Sequence, residues 1–219
     1  CLYPDGTMKW KYKAKNRIMS SPALLQGGRV CFGDDEGNFY CLDKDGKKVW
    51  DKKTGLEIYS SPAEDKNGNI YYANIDGVLF CIDKDGREKW QFKTGSAVYS
   101  SPCIDDERSS VFITSRDKNL YCLSFEGRLK WKFSTGNEIF SSPCVDGKGN
   151  VYFGSDDNYL YRVDFEGKEV WKFKTGGLVG TSAALGKDGS VVFGSDDGYV
   201  WCLNNKGGLK WKFKTGGEI

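Results

Sequence analysis

The sequence predicts an all-β fold, a β-propeller of four-stranded antiparallel blades, on three observations. The first is repetition: Trp10, Trp50, Trp90, Trp131, Trp171 and Trp211 follow one another at intervals of 40, 40, 41, 40 and 40 residues. Pro22, Pro62, Pro102 and Pro143 keep the same phase, and the fifth copy carries Thr181-Ser182-Ala183 in place of Ser-Ser-Pro. Self-similarity at this period marks a solenoid or a propeller. The second is an apolar period near two in segments rich in β-branched and aromatic residues, such as Val151-Tyr152-Phe153 and Val170-Trp171-Lys172-Phe173, as strands prefer. The third is turn chemistry between those segments, with Gly, Asn and Asp where the chain must reverse. No segment carries a helical stripe of useful length.

One copy, residues 139–174, therefore reads as four short strands, a to d. Strand a follows Phe140-Ser141-Ser142-Pro143, and strand b holds Val151-Tyr152-Phe153. Strand c is centred on Tyr159-Leu160-Tyr161-Arg162-Val163, and strand d on Val170-Trp171-Lys172-Phe173. A sheet of this size is apolar on both faces and hides neither alone. Radial stacking of 40-residue, four-strand units hides both and leaves only short edges. The tryptophan of strand d is expected to anchor each blade to its neighbour where the outer parts of the blades diverge.

The pattern aromatic-Ser-Ser-Pro, then Gly-Asn-Val-Tyr-Phe-Gly-Ser-Asp-Asp, then Asp-x-x-Gly-Lys-x-x-Trp-x-Phe-x-Thr-Gly resembles the PQQ-like β-propeller repeat over essentially the whole chain. That family includes quinoprotein alcohol dehydrogenases and the non-enzymatic outer-membrane assembly protein BamB. The resemblance implies a Trp-docked propeller and speaks less specifically to function, because one scaffold hosts many roles.

The 219 residues suffice for one large all-β domain. With 32 basic and 30 acidic residues the formal charge is +2, so no overall field argues for nucleic acid or an anionic membrane. No apolar run approaches the ~20 residues of a transmembrane helix. The chain begins in strand c, with a half blade at residues 1–14. Five complete blades follow at about 18–54, 56–95, 97–136, 138–176 and 178–216. That count gives about 22 strands and an expectation of a piece of a parent with six to eight blades, whose open edges invite self-association. Lysines alternating with aromatics in strand d, as at Lys130 and Lys132, suit an outer edge guarded against pairing better than a nucleic-acid surface.

Eight cysteines are present, yet their phase argues against a disulfide framework. Cys1, Cys41, Cys81, Cys122 and Cys202 share one column of strand c, with Arg162 in the fourth blade. Equivalent positions on stacked sheets lie roughly 10 Å apart, beyond the ~7 Å Cα limit of a bridge. Cys103 and Cys144 stand where other copies carry Ala23, Ala63 and Ala183. Only Cys31 and Cys41, on adjacent strands of one blade, are expected to be neighbours. Free thiols point to the cytoplasm or an anaerobic habitat, whereas the resemblance implies the cell envelope or the exterior. No metal site is expected: histidine is absent and no Cys-x-x-Cys pair occurs. Asp43-Lys44-Asp45-Gly46 and Asp83-Lys84-Asp85-Gly86 open like calcium loops but lack the closing glutamate.

Function should lie where copies differ. The b–c loops vary and carry Asp34, Asp35, Asp76, Arg116, Asp117, Asp156, Asp157, Asp196 and Asp197, an acidic rim with one basic intrusion. They share a face with the d–a loops. That rim is the candidate surface for a protein or peptide, alongside the reading of these residues as turn formers. No residue presents itself as catalytic, since neutral-pH proton transfer most often uses histidine. The quinoprotein dehydrogenases hold PQQ with vicinal cysteines, a tryptophan platform and calcium ligands, and here no two cysteines are adjacent. Trp201 occupies a strand c position held by Tyr40, Phe80, Tyr121 and Tyr161 in other copies. The expectation is a non-catalytic interaction or scaffold propeller without cofactor. The alternatives are a fragment of a PQQ-dependent dehydrogenase and a ligand- or carbohydrate-binding sensor propeller.

Overall fold

A computed structural model describes residues 1–219. Each copy of the repeat forms one antiparallel sheet with its strands in chain order. Blade one consists of β1 (Ala23–Leu24), β2 (Val30–Gly33), β3 (Asn38–Leu42) and β4 (Lys48–Lys53). Blade two holds β5 (Ala63–Glu64), β6 (Ile70–Ala73), β7 (Val78–Ile82) and β8 (Glu88–Lys93). Blade three holds β9 (Cys103–Asp105), β10 (Ser110–Ser115), β11 (Asn119–Ser124) and β12 (Leu129–Ser134). Blade four holds β13 (Cys144–Val145), β14 (Val151–Ser155), β15 (Tyr159–Val163) and β16 (Glu169–Lys174). Blade five holds β17 (Ala184–Leu185), β18 (Val191–Ser195), β19 (Tyr199–Leu203) and β20 (Leu209–Lys214).

Twenty strands are present rather than about 22. Residues 1–14 turn back through a single bridge, Leu2 to Met8, because a c–d hairpin without a strand b beside it has no ladder to extend. The register also corrects one alignment. Ala23, Ala63, Cys103 and Cys144 pair with Cys31, Tyr71, Phe112 and Tyr152, and the fifth member of that column is Ala184 opposite Val192, not Ala183. No helix is long and apolar enough to cross a membrane.

Strands b and c are the buried centre of every blade. Strand d alternates exposed and half-buried residues along its second half in blades one to four, as an outer strand with one packed face does, and is exposed throughout in blade five. The core is a series of layers between successive sheets. Cys31, Phe39 and Cys41 of blade one pack on Ile70, Tyr72 and Phe80 of blade two, and Phe39 stacks on Tyr72 at 3.8 Å between ring centroids. Tyr71 and Leu79 of blade two in turn meet Val111, Ile113 and Leu123 of blade three.

The repeated residues connect these layers. The indole nitrogens of Trp10, Trp50, Trp90, Trp131 and Trp171 donate to the carbonyls of Lys44, Lys84, Phe125, Phe165 and Asn205, in the c–d turn of the next blade, at 2.8–3.2 Å. Each ring also covers a left-handed glycine of that turn; a Cβ on Gly127 would lie 2.6 Å from the Trp90 ring. The two serines divide their work. The hydroxyl of Ser141 donates to the Gly154 carbonyl at 2.8 Å and accepts the Gly154 amide at 2.9 Å, fastening the inner segment to strand b within blade four. The hydroxyl of the second serine instead accepts an amide from the preceding blade: Ser21 N–H to Ser61, Ser61 to Ser101, Ser101 to Ser142 and Ser142 to Ser182, at 2.8–3.0 Å. An inner seam of serines and an outer seam of tryptophans thus fix how the blades fan, and with it which loops meet.

Candidate functional site on the b–c and d–a loop face

Backbone bonds place each b–c loop against the d–a loop that precedes its own blade. The amides of Asp35, Ile75, Arg116, Asp156 and Asp196 donate to the carbonyls of Arg17, Glu57, Ala97, Glu138 and Leu178 at 2.9–3.0 Å. The predicted acidic rim thereby separates into two kinds of residue.

The first kind builds the turns. Asp34 is fully buried and accepts from the Asn38 side chain and amide and from the Tyr40 hydroxyl, the last at 2.8 Å. Asp117 and Asp157 each accept a tyrosine hydroxyl, Tyr121 and Tyr161, at 2.6 Å. They also accept the amides of Gly95 and Gly136 at 2.6 and 2.8 Å. Asp197 takes the Trp201 indole at 3.2 Å and the Gly176 amide at 2.9 Å. A donor in strand c therefore meets an acid in the adjoining turn. Blade two confirms the logic by exception: Phe80 has no donor, and Asp76 turns outward to Lys93 at 2.8 Å. Asp34, Asp117, Asp157 and Asp197 thus brace their loops from within, whereas Asp76 lies at the surface.

Burial works against the charged form of Asp34, yet the bonds from Asn38 and Tyr40 outweigh it and hold the carboxyl below the usual range. Asp146, in the a–b turn of blade four, has the same environment, with Asn150 and Tyr152 as donors. For a carboxyl depressed in the folded state, the stabilisation is present above its unfolded value of about 3.9 and is lost as pH falls through the folded value. The urea midpoint should therefore hold down to about pH 5 and drop below about pH 4. Asp34→Asn, already lowered at pH 7, should lose less on acidification; an equal acid loss would show that Asp34 is not among the groups responsible.

The second kind is half-buried on the same face: Asp35, Arg116, Asp156 and Asp196, with Glu57 and Glu138 beside them. Arg17 bonds Asp35 at 2.7 Å, and the Asp35 side chain is only 8% exposed, with Oδ1 buried and unpartnered. The Arg116 guanidinium forms a two-point contact with Glu138, Nε to Oε2 at 2.8 Å and Nη2 to Oε1 at 3.2 Å. Its Cζ lies 5.3 Å from the centre of the Phe140 ring and 6.0 Å from that of Tyr99. Tyr99 stacks on Tyr59 at 5.5 Å and 8° between planes, and Phe140 lies 5.5 Å beyond Tyr99. All three rings are half-buried. The Asp156 carboxylate accepts no hydrogen bond, and burial together with Glu138, Asp196 and Asp157 raises it above the usual range. Crowding of like charge disfavours the ionised form of a carboxylate.

The sequence reading missed Tyr59, Tyr99, Phe140 and Glu138. The residue before Ser-Ser-Pro reads as a repeat marker, but Met19 and Gly180 hold that position in blades one and five, and this unfaithful column was the available signal. No group of three or more His, Cys, Asp or Glu side chains converges on a metal position. Residues for PQQ do not fit either: Trp201 is 9% exposed and bonded through its indole nitrogen to Asp197, so its face offers no platform.

The fold and this face define a Trp-docked β-propeller whose rim carries polar and aromatic loops. The family of the outer membrane protein assembly factor BamB matches residues 2–105, 60–138 and 107–212, and the chain belongs to that family. The crystal structure of BamB from Moraxella catarrhalis superimposes with a TM-score of 0.73 at 20% sequence identity, covering 97% of this chain and 79% of that one. Among curated proteins no sequence matches.

Proposed function

We propose that the chain is a non-catalytic propeller that holds another protein on its b–c and d–a loop face, a scaffold of the kind to which an outer membrane protein assembly factor belongs. The observation that carries this reading is the row of half-buried rings Tyr59, Tyr99 and Phe140, crossed by an arginine that Glu138 holds in place. Aromatic residues and arginine dominate the energetics of protein interfaces. Here the rings belong to neither the serine nor the tryptophan seam, and the Arg116–Glu138 contact crosses from blade three to the loop leading to blade four. Asp156 and Asp196 border the row and favour a partner segment that mixes apolar with basic residues.

Photo-crosslinkable residues introduced at Glu57 and Tyr99, and for comparison at Lys148 on the opposite face, test this in the cell of origin. Expected are discrete protein adducts from Glu57 and Tyr99 that disappear when Arg116→Ala and Phe140→Ala are added, and no adduct of the same size from Lys148. Adducts equal on both faces, or none from the loop face, would remove the proposal. Calcium-dependent quenching of tryptophan fluorescence by PQQ, with turnover of an alcohol, would replace it with the dehydrogenase reading.

A further inference from the structure

Blade one departs from its neighbours at one cross-strand pair. The register places Cys31 of β2 opposite Cys41 of β3. The equivalent pairs are Tyr71 with Cys81, Phe112 with Cys122, Tyr152 with Arg162 and Val192 with Cys202. Only here does cysteine face cysteine. Opposed residues of an antiparallel ladder point to the same side, and both thiols are 0% exposed in the layer between blades one and two.

The position within the ladder suits a covalent bond. The Asp34 amide donates to the Asn38 carbonyl, which makes 34–38 a hydrogen-bonded pair. Alternation along the ladder then makes Phe32–Tyr40 hydrogen-bonded and Cys31–Cys41 a non-hydrogen-bonded pair, the closer kind, with Cα atoms about 4.5 Å apart. That lies within the span a disulfide accepts. We propose that Cys31 and Cys41 are a redox-active pair that forms a cross-strand disulfide at the base of the b–c hairpin carrying Asp35.

The surroundings supply the nucleophile. The two thiols face each other, and Cys31 together with Arg29 holds Cys41 below the usual thiol range despite burial, while Cys41 and burial raise Cys31. Arg29 is itself held through Nη1 on the Lys84 carbonyl of blade two. The Cys41 thiolate attacks one sulfur of a small-molecule disulfide, its S–S bond breaks, and one thiolate leaves. Cys31 then gives up its proton and attacks the Cys41 sulfur, expelling the second thiolate. The protein loses two protons and two electrons, and the oxidant becomes two thiols. Entry of the oxidant requires local opening.

The full chain, equilibrated across a series of oxidised-to-reduced glutathione ratios, quenched in acid, alkylated in denaturant and digested with trypsin, reports directly on residues 30–44, which leave as one peptide. Expected on oxidation is loss of both alkyl groups from that peptide, with a mass two hydrogens below the dithiol and recovery on reduction. Peptides containing Cys81, Cys122 and Cys202 should keep their alkyl groups at the same ratios. Cys41→Ala should leave Cys31 alkylated throughout. A wild-type peptide that carries both alkyl groups across the series, or a stable glutathione adduct on Cys41 with Cys31 still alkylated, overturns the proposal.

Discussion

Trp131→Ala should lower the unfolding free energy by about 3 kcal/mol, and Trp211→Ala by less than about 1 kcal/mol. The two tryptophans occupy the same column of strand d and differ only in what they meet. Trp131 is half-buried, packs on Phe112 at 5.8 Å, donates to the Phe165 carbonyl at 3.0 Å and roofs Gly167. Trp211 is 46% exposed and makes none of the blade-to-blade bonds. Truncation of Trp131 removes a large apolar contact and leaves a carbonyl without its donor; truncation of Trp211 uncovers little that is not already in water. Urea unfolding followed by circular dichroism measures both midpoints. Equal losses at the two positions would mean that the tryptophans act within their own sheets rather than between blades. Because arrays of repeats can open one unit at a time, hydrogen exchange in blade four during the same experiment shows whether the damage is local.

The contrast between those two residues also explains how far the sequence could be read. Columns that repeat faithfully state their structural role five times over. Trp and the left-handed Gly recur in every copy, and Ser-Ser and the Tyr of strand c in most of them, so each is legible from the contact its copies share. The acidic rim was harder. Asp157 and Asp156 are neighbours of one residue type, yet the carboxylate of one is fixed by Tyr161 and the Gly136 amide while that of the other accepts nothing. The direction of a side chain at a turn depends on backbone geometry that composition does not encode. The ladder Tyr59–Tyr99–Phe140 was hidden for a different reason: its members lie about one repeat apart, and stack only because the serine seam sets the blades at a fixed spacing. The reverse holds for Cys31 and Cys41, which are near in sequence and opposed by register, so strand pairing alone brings them together.

The loop face and the seams are coupled through these same contacts. Arg116 lies in blade three and Glu138 in the loop leading to blade four, so the two-point contact at 2.8 and 3.2 Å spans a blade boundary just as the serine seam does. A change that loosens the boundary should therefore disturb the rings as well as the core. An exposed ion pair by itself contributes little to stability. Rigid blades carry the cost of holding it in place.

Gly127→Ala is expected to cost about 2–3 kcal/mol, and about 1 kcal/mol in a chain that already carries Trp90→Ala. Gly127 closes the c–d turn of blade three, with its amide donating to the Ser124 carbonyl at 2.9 Å and a φ of +79°. A methyl group there meets two separate penalties. One is intrinsic to the left-handed backbone, in which a Cβ crowds its own carbonyl, and persists whatever lies nearby. The other is the Trp90 indole, whose Cδ2 atom would stand 2.6 Å from the new carbon. Trp90 cannot retreat without giving up its 2.8 Å bond to the Phe125 carbonyl. Removing the indole first abolishes the second penalty and leaves the first, so the double mutant should be more stable than the sum of the single losses predicts, by about 1–2 kcal/mol. Four urea titrations, on the parent, both single variants and the double, give the coupling. Strict additivity would show that the glycine is required only by its turn, and the outer seam would then rest on the tryptophan hydrogen bond alone.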